Sequence, residues 1–92
     1  MQRRSRQIQP TRFKEKAIGV VLREVREQAG QSQERLGSEC GFDRTYISRV
    51  ERGIINPTVN RLWKIADVLQ IPLNQIVKRM ENWVAEQERS RP

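Results

Sequence analysis

The stretch from Cys40 to Gly53, CGFDRTYISRVERG, decides the fold. Asp43 is placed to cap a helix and Gly53 to end one, so the interval reads as a short helix running to about Arg52. Only Ile47 and Val50 are spaced to hold that helix against a body. Arg44, Thr45, Ser48, Arg49 and Arg52 occupy its other sides. A helix that merely fills a core needs no such set of hydrogen-bond donors at its start.

Working outward, Gly41-Phe42 reads as a tight turn with Phe42 folded toward the core. Before it, Ser32 caps a second short helix, Gln33 to Cys40, which buries Leu36 and Cys40. Glu34 lies in its first turn, where the helix dipole favours negative charge. Gly37 sits inside this helix and costs about 1 kcal/mol relative to alanine. Upstream again, Ile18, Val21, Leu22, Val25 and Ala29 recur at helical spacing from a start near Thr11, and Gly30 ends that run. Downstream, Pro57 keeps Ile54 to Asn56 out of a helix. Thr58 then caps a fourth helix with Leu62, Ile65, Ala66 and Leu69 facing inward, and Trp63 is expected at the edge of the core. A fifth helix opens near Pro72, a residue tolerated in a first turn. Its apolar seam is Leu73, Ile76, Val77, Met80, Trp83 and Val84. Five short helices, no internal repeat and no β-branched run make an all-α fold. The division expected is a disordered basic arm over residues 1–10, a helical domain over 11–79 and a C-terminal helix extension over 80–92.

Composition narrows the function classes. The 92 residues contain no His and one Cys, so an internal disulfide, a Cys/His zinc site within one chain and a His-based catalytic triad are excluded. Glu24, Glu27, Glu34 and Glu39 are scattered as solvated helix residues, which disfavours a nuclease metal site. No enzyme activity, metal or cofactor is expected. Cys40 is expected to pack as a small buried thiol. No apolar run approaches the roughly 20 residues of a membrane helix, so a cytoplasmic, nucleoid-associated location without membrane contact is expected. The formal net charge is +7, and five of those charges fall within residues 1–16. That distribution points to a polyanionic partner and leaves the rest of the chain nearly neutral.

Two helices joined through Gly41, the second opening with polar side chains, match a helix-turn-helix, in which the second helix enters the major groove of double-stranded DNA. The motifs Ser32-Gln33-Glu34, Gly41, Tyr46-Ile47-Ser48-Arg49, Glu51-Arg52-Gly53 and Asn56-Pro57-Thr58 together resemble the lambda repressor/Cro, or XRE, family from Ile18 to about Val77. The resemblance implies a five-helix lambda repressor-like DNA-binding domain, here with an extended C-terminal helix. It assigns base reading to Arg44, Thr45, Ser48 and Arg49. Phosphate contact falls to Gln33, which also buttresses the third helix, and to Arg52, Asn56 and the start of the fourth helix at Thr58; Tyr46 is expected either to stack on a sugar or base or to pack with its hydroxyl near a phosphate. Arg26 and Glu51 match a structural ion pair that ties the first helix to the third. Chemistry agrees, because an Arg fork can donate twice to guanine and a helix N-terminus suits phosphate. Arg61 and Lys64 add charge whose side on the fourth helix the helical phase leaves open. Two departures from the family stand out. Gln70 replaces a usual glycine, implying a left-handed turn, and Gly37 replaces a usual alanine, implying a softer second helix.

Ile76, Met80, Trp83 and Val84 are expected to form a homodimer interface, with folding back on the first helix of the same chain as the alternative. The function expected is a sequence-specific transcriptional regulator acting as a dimer on a palindromic operator. Controller proteins, phage repressors and antitoxins all share this build. The rival reading is a DNA-binding antitoxin or an adaptor that captures a protein partner with the C-terminal helix.

Overall fold

The structure, a computed structural model, describes residues 12–90; the basic arm of residues 1–10 lies outside them. Five helices follow in order: α1 Arg12–Gln28, α2 Gln33–Cys40, α3 Arg44–Glu51, α4 Val59–Val68 and α5 Leu73–Arg89. Among the described residues there is no strand.

The local chemistry accounts for the boundaries. Ser32 Oγ accepts a hydrogen bond from the Arg35 amide at 3.0 Å, satisfying one donor that the first turn of α2 leaves open. Thr58 Oγ1 does the same for the Arg61 amide at the start of α4, at 3.2 Å. Asp43 differs: it stands at the N-cap of α3, but its side chain makes no capping bond. Its carbonyl instead accepts the Tyr46 and Ile47 amides at 3.0 and 3.2 Å, so backbone alone starts that helix. The left-handed turn expected at Gln70 is present, with φ 58°.

The core gathers one apolar stripe from each helix. Leu22, Leu36, Ile47, Ile65 and Ile76 are almost completely buried, and each such side chain stabilises the fold by about 1.5–3 kcal/mol relative to exposure. Two glycines set how closely the helices approach. A Cβ on Gly37 would stand 2.6 Å from the carbonyl oxygen of Phe42. Gly37 is therefore what lets the turn after α2 fold back over it, which corrects the expectation that it merely softens the helix. Gly19 has the same role between α1 and α3, where a Cβ would run into the carbonyl of Val50 and lie 2.7 Å from that of Glu51.

α5 runs back along α1, its largest contact in the fold. Arg79 Nη1 donates to Gln28 Oε1 at 3.1 Å near one end of α1. Near the other, the Trp83 ring meets Phe13 edge-on with centroids 6.3 Å apart. Ile76 and Val84 are buried, and Met80 and Trp83 are half-buried. The seam assigned to a dimer interface is thus occupied within the chain, and the folding-back alternative is the observed one. The cause is α1 itself: its stripe of Ala17, Ile18, Val21, Leu22 and Val25 is longer than α2 to α4 can cover, and α5 covers the remainder. Among the described residues, the large apolar side chains left in solvent are Trp63 and Val77, together with Ile54 and Val59. Trp63, at 53% exposure, is not at the edge of the core.

Candidate nucleic-acid interface

α3 sits on the body through Ile47 and Val50, both buried, and through a polar fastening at its far end. Glu51 Oε2 accepts Arg26 Nε at 2.6 Å, and Oε1 accepts Arg26 Nη2 at 3.0 Å. Gln33 Nε2 donates to the same Oε1 at 2.9 Å, while Arg26 Nη1 reaches the Gln31 carbonyl at 2.7 Å. The ion-pair side chains are 10% and 3% exposed, so the pair is desolvated and geometrically well satisfied. The hydrogen bond to Glu51 holds the Arg26 guanidinium above its ordinary pKa, against the opposing effect of burial. The structural pair expected of Arg26 and Glu51 is in place. Gln33, given to phosphate contact, has its amide nitrogen committed to Glu51 and thereby braces α2 against α3.

With α3 fixed in this way, Arg44, Thr45 and Arg49 stand exposed along it, with Ser48 half-buried beside them. Arg52 and Asn56 continue the exposed polar surface past the end of the helix. Thr58 spends an oxygen lone pair on its cap and keeps its hydroxyl proton available. Tyr46 is half-buried, its ring tilted on Phe42 with centroids 5.1 Å apart. The structure also settles the side that Arg61 and Lys64 take on α4. The Arg61 guanidinium lies 4.9 Å from the Tyr46 ring centroid and 5.4 Å from that of Phe42, and Lys64 Nζ lies 5.9 Å from Phe42. Helical phase alone left that side open, because the neighbour of Arg61 depends on how α4 packs on α2. Cys40 is buried as expected. Burial pushes its thiol pKa up, Glu39 adds to that and Lys64 opposes it, which favours the unreactive protonated form. Among the described residues no cluster of His, Cys, Asp or Glu is placed to hold a metal ion, and no helix is long and apolar enough to cross a membrane.

Two short helices meeting at a left-handed glycine, the second pinned from behind and presenting guanidiniums and hydroxyls outward, define a lambda repressor-like helix-turn-helix domain. A family model described as helix-turn-helix matches residues 22–76, and the chain belongs to the XRE-type helix-turn-helix family of DNA-binding domains. It is 33% identical over 60 residues to the HTH-type transcriptional regulator SutR of Escherichia coli, a match covering 65% of this chain and 34% of SutR. It is 39% identical over 55 residues to the control protein C.BamHI of Bacillus amyloliquefaciens, covering 59% of this chain and 68% of that protein. The crystal structure of the restriction-modification controller protein C.AhdI from Aeromonas hydrophila superposes with a TM-score of 0.65 at 37% identity, over 67% of this chain and 94% of that one. The chain thus spans about a third of SutR and most of the two controllers.

Proposed function

We propose that this chain is a transcriptional regulator that reads a specific DNA sequence as a homodimer on a two-fold symmetric operator. The observation that carries the reading is the outer face of α3, where Arg44, Thr45 and Arg49 are exposed and Ser48 is half-buried. A helix-turn-helix directs that end of its second helix at base edges. Arg44 is the first residue of the helix, and its fork is matched to guanine O6 and N7. Arg52, Asn56, Thr58 and Tyr46 flank this face as phosphate contacts, and Gln33 approaches phosphate through the α2 N-terminus that it opens.

Dimerisation is supported by a surface other than the α1-facing seam of α5. Trp63 on α4 and Leu73 and Val77 on α5 line a shallow apolar depression edged by Lys78 and Glu81. Such a patch suits an isologous contact, in which Lys78 of each chain can face Glu81 of the other. Two recognition helices would then lie about one helical turn, roughly 34–36 Å, apart.

Selection of bound duplexes from a random pool tests the reading. The expected product is a palindromic motif with guanine at one position of each half-site. In Arg44→Ala that position should become degenerate, a loss of about 1–3 kcal/mol of discrimination there. Affinity falling equally for every sequence would remove Arg44 from base reading, and a motif without two-fold symmetry would remove the dimer.

A further inference from the structure

Arg61 belongs to α4, outside the helix-turn-helix pair, yet its guanidinium is seated against the start of the recognition helix. Its Cζ stands 4.9 Å from the Tyr46 ring centroid and 5.4 Å from that of Phe42, inside the roughly 6 Å over which a ring face attracts a cation. The two rings support each other at 5.1 Å. Tyr46 lies in the first turn of α3, immediately after Thr45. Among the described residues no carboxylate bridges Arg61, and the residue is exposed. Its charge is therefore positioned without being neutralised. A guanidinium held near ring faces rather than by a carboxylate keeps N–H groups free to donate, and phosphate oxygens accept them. A helix lying in the major groove has a phosphate strand along each flank.

We propose that Arg61, seated on Phe42 and Tyr46, is a phosphate clamp that fixes the position of α3 in the groove from a different helix. The inference rests on the reading of the chain as a DNA-binding domain. Lys64, 5.9 Å from the Phe42 ring, extends the same positive edge without a second ring to hold it.

Salt titrations of binding test the clamp, using a fluorescein-labelled duplex of mixed sequence and the duplex recovered by selection. Arg61→Ala should weaken both by a similar factor, roughly tenfold, and make the slope of log affinity against log salt shallower by about 0.9, the contribution of one phosphate. Arg61→Lys should keep the slope and lose part of the affinity, because it keeps the charge and gives up the planar fork of donors. Phe42→Leu should likewise keep the slope and weaken binding, since it removes part of the seat and none of the charge. An Arg61→Ala slope equal to that of the wild type, or a loss confined to the selected duplex, would overturn the clamp. Phe42→Leu binding as tightly as wild type would overturn the seat. The wild-type slope is measured in the same titrations, so loss of the clamp is distinguishable from failure of DNA binding itself.

Discussion

α3 and α5 each bury two side chains outright, Ile47 and Val50 in one, Ile76 and Val84 in the other, although α5 is 17 residues long and α3 only 8. They are held by different means. α5 adds a row of half-buried residues, Leu73, Met80 and Trp83, so many small apolar contacts along α1 and α4 fix it. α3 has too few turns for that and leaves its outer face exposed. Its remaining attachment is polar and backbone-based: the Arg26–Glu51–Gln33 fastening, and the close approach that Gly19 permits. A helix that must leave its outer face bare is secured by a few directional bonds, while one with an apolar neighbour along its length is secured by area.

The contrast can be broken at its strongest point first. Glu51→Ala should destabilise the domain by about 3–5 kcal/mol, measured by urea unfolding, because it strands Arg26 in a desolvated site; a loss below about 1 kcal/mol would make the fastening decorative. On α5, Ile76→Ala should cost about 2–5 kcal/mol through the cavity it leaves. Trp63→Glu, on the exposed depression, should leave stability within about 0.5 kcal/mol and convert the particle to one chain by light scattering. If Ile76→Ala instead changed the mass without changing stability, the α1-facing seam of α5 would be the dimer face after all. The smallest effect sharpens the backbone side of the comparison. Gly37→Ala gains about 1 kcal/mol of helix propensity and meets an overlap costing about 1–3 kcal/mol, so the variant should unfold at lower urea than wild type; a stabilised variant would show that the turn relaxes freely.

Where a feature depends on residues close in sequence, it was legible. Ser32, Thr58, Gly41 and the Ile47/Val50 spacing each carry their own instruction, and α2, α3 and the exposed Arg44–Arg49 face follow from them. The left-handed turn at Gln70 was legible only through the family resemblance, which has a glycine there. The failures share a dependence on distant partners. Gly19 and Gly37 read only as weak helix formers, since nothing nearby tells that the carbonyls of Val50 and Phe42 will press against them. The α5 seam revealed that one face is apolar but not which surface covers it, and the uncovered length of α1 decided that. Helical phase left the side of Arg61 open, because its seat is formed by rings from the turn after α2 and from α3.

Glu51 has a consequence for control of such a protein. Its carboxylate is shared by α1 and α2 while it terminates α3, so tilting α3 by itself would tear bonds to two neighbours at once. The helix therefore moves as one stiff unit with its neighbours. In the proposed dimer, an effector would act not by bending it but on its placement, through the distance and angle between the two copies or through how many copies are available to bind.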